Sequence, residues 1–158
     1  MKIMGEVIKR ENLKEFTAKL RKSGKKIVVT NGCFDILHVG HVRYLKKTKS
    51  FGDYLIVMLN SDKSVRLIKG ESRPINNENN RAEVLCALAC VDFVVIFDES
   101  SPRNLIEEIK PDVYTKGADY TLETLPERDI IEKNGIKVEF IEFVEGQSTT
   151  RIVDKLMS

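Results

Sequence analysis

Short β-branched runs alternate along this chain with longer segments of helical pattern, and that alternation restricts the fold more than any other feature. The runs fall at residues 26–30, 54–60, 93–97, 113–115 and 137–144. They are rich in Val, Ile, Phe and Tyr and short enough to be strands rather than buried helices. Helical patterns lie between them at residues 12–22, 39–49, 79–90, 102–109, 125–133 and 149–156. Asn12 with Glu15 three residues on reads as a capping box, and Gly24 as the stop of that first helix. The stretch after the second strand, with Lys69, Gly70, Arg73 and Pro74, reads as a polar loop. Strands that alternate with helices predict an α/β fold: a mostly parallel sheet of about five strands, with helices on both faces. Ligands of such sheets lie beyond the carboxyl ends of the strands, where the strand order reverses.

Composition narrows the class. A chain of 158 residues, 42% apolar and 32% charged, supports one globular domain over residues 1–158. Lys and Arg number 26 against 24 Asp and Glu. That near-balance carries no electrostatic footprint for a nucleic acid or a membrane surface. The longest apolar runs, at 54–59 and 93–97, fall far short of the roughly 20 residues of a membrane helix. Met1 to Glu6 lacks an apolar signal segment. Three cysteines, Cys33, Cys86 and Cys90, form no Cys-x-x-Cys pair and read as small core residues. A reducing, cytoplasmic location is the expectation.

Both histidines of the chain, His38 and His41, fall in one window that follows the first strand and opens a helix. A strand, a glycine turn and a helix N-terminus make an anion site, because backbone N–H groups and the helix dipole both point at the ligand. Gly32 would let the backbone approach a phosphate closely. Histidines three apart at a helix start share a face. Two imidazoles there can offset charge that builds up as a phosphoryl bond breaks. The same residues leave other readings open: a metal pair with Cys33, or histidines with no chemistry, and Asp35 as an ordinary turn former.

The segment Asn31-Gly32-Cys33-Phe34-Asp35-Ile36-Leu37-His38-Val39-Gly40-His41 resembles the G-x-F-D-x-x-H-x-G-H signature of the cytidylyltransferase-like nucleotidyltransferase superfamily. The resemblance implies a Rossmann-like nucleotidyltransferase fold. It places His38 and His41 on a nucleoside triphosphate, with Asn31, Gly32, Cys33, Phe34, Asp35 and Gly40 lying against it. Further blocks occur in order: Asn60-Ser61-Asp62, Lys69 to Asn76, Asn80-Arg81-Ala82, Lys116-Gly117-Ala118-Asp119-Tyr120, and Gly146-Gln147-Ser148-Thr149-Thr150. The series is similar to that of the adenylyltransferases that make ADP-heptose from D-glycero-β-D-manno-heptose 1-phosphate and ATP, from about residue 7 to the end.

The resemblance implies transfer of AMP from ATP to a sugar 1-phosphate, with release of pyrophosphate. Mg²⁺ is expected with the triphosphate, a homodimer as the assembly, and a separate sugar kinase upstream. Lys69, Arg73 and Arg81 are expected to clamp phosphates. Arg81 lies in the first turn of a helix, where a cation is disfavoured by the dipole unless an anion compensates it. Ser148, Thr149 and Thr150, after Gly146, form a second helix start suited to an anion, or a simple N-cap. Lys116, Gly117 and Asp119 would border nucleotide or acceptor. Related alternatives are a CTP:glycerol-3-phosphate cytidylyltransferase and an FAD synthase, and a different class is a nucleotide sensor without turnover. Departures from the heptose group cluster on the acceptor side. Ala118 stands where a second glycine is usual, and would be unfavourable by about 1 kcal/mol if that position needed a positive φ. Pro126-Glu127-Arg128 and Asn134-Gly135-Ile136 also stand where glycines are common.

Overall fold

The computed structural model describes residues 4–143, 146 and 148–158. Six strands form one sheet: β1 (Glu6–Val7), β2 (Ile27–Gly32), β3 (Tyr54–Asn60), β4 (Phe93–Phe97), β5 (Val113–Gly117) and β6 (Lys137–Ile141). Their order is β1-β4-β3-β2-β5-β6 and every neighbouring pair is parallel. The α-helices among the described residues are α1 (Leu13–Lys22), α2 (Val39–Lys49), α3 (Asp62–Lys69), α4 (Glu78–Cys86), α5 (Arg103–Ile109), α6 (Arg128–Lys133) and α7 (Thr149–Met157). The α/β class and the parallel sheet stand as expected. The sixth strand is β1, whose two residues are too few to show any periodicity; only its pairing with Phe93 and Val94 defines it.

Successive side chains of a strand point to opposite faces. Ile27 and Val29 of β2 therefore join Leu13, Met58, Leu105, Ile109 and Tyr114 in one core. Val28 joins Leu45, Leu55, Val57, Leu59 and Leu85 in the other. Both faces are covered, which is why β2 and β3 read as continuous apolar runs rather than alternating ones. After β4 the chain crosses over to lay β5 on the far side of β2. The carboxyl ends of β2 and β5 thus flank the reversal point, where a crevice opens.

Several local expectations are corrected. The capping box at Asn12 does not form. Asn12 closes a 3₁₀ turn in right-handed helical backbone (φ −95°, ψ −5°) and makes no side-chain cap bond; a cap needs extended backbone. The polar loop after β3 is in large part helix α3. Ser61 Oγ accepts the Ser64 N–H at 3.1 Å, and the Asp62 N–H donates to Glu78 at 2.7 Å. Helix α4 starts one residue early, capped by Asn77, and stops at Cys86 rather than residue 90. Helix α6 begins at Arg128, leaving residues 125–127 as turn. Strand β6 ends at Ile141, and Val144, its expected end, lies outside the described residues. Ala118 is unstrained, since among the described residues only Phe34 and Lys110 outside glycine have a positive φ. Among the described residues no helix is long and apolar enough to cross a membrane.

Candidate active site

A cleft of about 570 Å³ opens over the ends of β2 and β5. Its wall carries Asn31, Gly32, Cys33, Phe34, Asp35, His38, Gly40, His41 and Lys69, together with Lys116, Gly117, Asp119, Ser148, Thr149 and Thr150. Residues spread over 120 positions of sequence are thus brought to one place. Arg73, Arg81 and Gly146 stand outside this wall.

The histidine turn is built tightly. Phe34 holds φ at 43°, a conformation non-glycine residues adopt only when the surroundings impose it. Its ring folds back over Gly32, where an added Cβ would lie 2.8 Å from Phe34 Cε2, so only glycine fits there. His38 is the N-cap of α2, and its Nδ1 accepts the Gly40 N–H at 3.1 Å. In the neutral ring the remaining proton therefore sits on Nε2, which becomes a donor. The His41 ring stacks on His38 at 3.9 Å and meets the Phe34 edge at 5.2 Å, while its buried Nδ1 has no partner. Burial lowers the His41 pKa to about 4, with His38 and Lys69 adding repulsion; burial also lowers that of His38. Two neutral imidazoles beside Lys69 form a donor surface that becomes more basic as a polyanion arrives. Behind them Tyr44, Thr30, Thr48 and Thr115 share hydroxyl contacts of 2.8–3.2 Å that fix α2 against β2 and β5, a network the strand and helix patterns do not announce.

The low His41 pKa makes a prediction about stability. The unfolded side chain titrates near 6.5, so between pH 6.5 and about 4 the unfolded chain binds a proton that the native one refuses. Stability is then full above pH 6.5 and falls as pH drops toward 4, by on the order of 2 kcal/mol after allowance for partial exposure. Urea midpoints measured across that window should decline more steeply for the wild type than for His41→Ala. Parallel curves would show that the ring titrates normally.

Both arginines expected at the phosphates make contacts within the protein. Asp35 accepts Arg73 Nε at 2.8 Å, the Asn76 N–H at 2.9 Å and the Ile75 N–H at 2.9 Å. Burial pushes the Asp35 carboxyl up, but these donors outweigh it and leave its pKa below the usual range. Arg73 Nε is thus tied to the turn, while its buried Nη2 has no hydrogen-bond partner among the described residues. Arg81 is 2% exposed. Its Nε donates to Asn76 O at 2.9 Å, Nη1 to Cys33 O and Asn60 O at 2.7 and 2.8 Å, and Nη2 to Asp62 at 2.8 Å. The compensating anion is thus Asp62, and Arg81 ties together the ends of β2 and β3. Lys69, at the end of α3, remains as the cation of this region on the cleft wall.

On the wall of the same cleft, Lys116 Nζ donates to Asn31 Oδ1 at 3.2 Å and lies 5.1 Å from the Tyr120 ring, its pKa lowered by burial. Phe143 is 61% exposed and caps Gly117, where an added Cβ would fall 2.1 Å from the ring. Thr149 Oγ1 donates to Ile36 O at 3.0 Å, docking α7 on the histidine turn, and Ser148 Oγ is used as the N-cap by the Arg151 N–H. Cys33 lies on the wall with its thiol pKa raised by burial; Cys86 is buried. Among the described residues no three His, Cys, Asp or Glu side chains converge as a metal site. Ser101, Glu127 and Phe143 also line the cleft without forming part of any sequence motif that marked them as functional.

A family model described as cytidylyltransferase-like matches residues 29–155. The chain is 58% identical over 134 residues to the bifunctional protein HldE of Geobacter metallireducens, covering 85% of this chain and 27% of that protein. It is 49% identical over 148 residues to the bifunctional protein HldE of Syntrophotalea carbinolica, covering 94% and 30%. It thus spans less than a third of these curated relatives. A crystal structure of the lipopolysaccharide core biosynthesis protein from Thermoplasma volcanium superposes with a TM-score of 0.63 at 34% identity, covering 78% of this chain and all of that one.

Proposed function

This chain belongs to the cytidylyltransferase-like family and is a nucleotidyltransferase, and on that premise we propose that it transfers AMP from ATP to a sugar 1-phosphate, D-glycero-β-D-manno-heptose 1-phosphate being the preferred acceptor. The stacked pair of neutral imidazoles at the reversal point carries this reading. An acceptor phosphate oxygen attacks the α-phosphorus of ATP, a new P–O bond forms, the bond to the β-phosphate breaks, and pyrophosphate leaves. No covalent enzyme intermediate is needed, so the protein contributes position and charge stabilisation. His38 Nε2–H and the His41 ring donate to the phosphates, Lys69 offsets their charge, and the start of α7 receives the triphosphate tail.

Mg²⁺, when bound with the triphosphate, would supply neutralisation of phosphate charge. Of the carboxylates on the cleft wall, Asp35 is consumed by its loop, Glu127 is buried and Asp119 is exposed. That wall would suit an ion carried chiefly by phosphates and waters, with Asp119 the carboxylate that could reach it. The heptose acceptor is supported by the motif series and by the relatives named HldE, and a sugar kinase would supply its phosphate. A pyrophosphate-release screen of four nucleoside triphosphates against phosphorylated acceptors tests the reading. ATP with the heptose 1-phosphate should give the highest kcat/KM. Preference for CTP with glycerol 3-phosphate, or for FMN as acceptor, would overturn it, as would ATP binding with no turnover on any acceptor.

A further inference from the structure

Pairing of β2 with β3 runs on to Gly32 and Leu59, whereas its pairing with β5 ends at Val29 and Tyr114. Beyond that point side chains take over the bridging, and one amide lies at its centre. Asn31 Oδ1 accepts the Tyr114 O–H at 2.7 Å and Lys116 Nζ at 3.2 Å. Two donors on one oxygen fix the orientation of the amide. Turned over, its NH₂ would face the Lys116 ammonium, which has no lone pair to accept with. The nitrogen is left over. Among the described residues Asn31 Nδ2 has no protein hydrogen-bond partner, and it is not one of the sealed atoms that lack a partner, His41 Nδ1 and Arg73 Nη2. It is therefore open, and the open side of half-buried Asn31 is the cleft.

Tyr114 lies behind this amide and is 0% exposed, so a molecule in the cleft cannot touch it. Its ring belongs to the core with Val29 and Leu105, a space that phenylalanine would fill as well. A hydroxyl taken out of water there is a cost unless it is bonded. Its nearest partner is Asn31, with Lys116 Nζ at 3.4 Å and Glu127 Oε2 at 3.5 Å.

We propose that Tyr114 is a positioning residue for nucleotidyl transfer: its hydroxyl, with Lys116, holds the Asn31 amide so that Nδ2–H is presented to the nucleotide in the cleft. The inference rests on the nucleotidyltransferase assignment and not on the choice of base or acceptor. An amide already held by two donors gives up little freedom when it meets a ligand, so its N–H is preorganised. A released amide could instead turn Oδ1 toward the polyphosphate, and an oxygen there repels.

The test is titration calorimetry with α,β-methylene ATP and α,β-methylene CTP on wild type, Tyr114→Phe, Asn31→Ala, the double variant and Asn31→Asp. For the analogue that the wild type binds more tightly, Asn31→Ala should weaken binding about 10-fold or more, and Tyr114→Phe about 3- to 10-fold. In the Asn31→Ala background Tyr114→Phe should add less than about twofold, because the group it acts through is gone. Asn31→Asp keeps an oxygen for Tyr114 and Lys116 and exchanges only the outward N–H for an oxygen, so it should bind at least as weakly as Asn31→Ala. A structural role for the hydroxyl would give Tyr114→Phe the same effect in both backgrounds, and that result overturns the proposal. Wild-type affinity in Tyr114→Phe or in Asn31→Asp also overturns it, as does a wild type that binds neither analogue. Tighter binding of the CTP analogue would sink the AMP-transfer reading while the cycle, measured on that analogue, still decides the role of Tyr114.

Discussion

His41→Ala should lower turnover by about 10²–10³-fold while the fold survives, the usual cost of removing one preorganised donor from a site of charge development. The structure makes this substitution unusually clean. The His41 Nδ1 has no hydrogen-bond partner to lose, and the ring contributes only its stack on His38 and its edge contact with Phe34. The neighbour behaves differently. His38→Ala removes both a donor and the N-cap of α2, so it should add about 0.5–2 kcal/mol of instability to a similar loss of rate. Initial rates of pyrophosphate release, with urea midpoints on the same samples, check both. A His41→Ala enzyme within threefold of wild type would remove the imidazole pair from the mechanism.

Arg81→Ala should destabilise the chain by roughly 3–5 kcal/mol. Four acceptors lose their donor at once: the carbonyls of Cys33, Asn60 and Asn76 and the carboxylate of Asp62. A buried acceptor left without a partner costs about 1–3 kcal/mol, and local relaxation keeps the total below the sum. Because the alanine variant can fall below the threshold for folding, Arg81→Lys is the second arm. One ammonium cannot reach the acceptors that a guanidinium fork spans, so it should lose an intermediate share of stability. The same pair of variants separates two roles. A guanidinium acting on the triphosphate would leave the urea midpoint in place and raise the KM for ATP. A tie between strand ends moves the midpoint first, and that is the expected result.

The local signals that were legible share one property: they lie within a few residues of each other. Apolar runs at 54–60 and 93–97 became β3 and β4 because covered strands need no long-range information to show their composition. The histidine window was legible for the same reason, since strand end, glycine turn and helix cap are consecutive. Gly32 lies under the fold-back of Phe34, and Gly117 under the exposed ring of Phe143 twenty-six residues on, so only the first was readable locally. Helix α3 was hidden because its polar face is exposed and its caps, Ser61 and Glu78, come partly from another element.

The chain's amino acids by themselves determined the α/β class, the parallel sheet and the window that holds both imidazoles, because periodicity and turn chemistry act over short spans. Which of Lys69, Arg73 and Arg81 faces the cleft was decided by the tertiary structure alone. Lys69 remains on the wall, while Arg73 and Arg81 are drawn inward by Asp35 and Asp62. The buried carboxylate of Glu127 acquired its setting from Ser101 and Tyr114 in the same way. The physical reason is common to both cases. A charged side chain removed from water must find partners, and those partners belong to whichever strand ends the sheet order brings beside it.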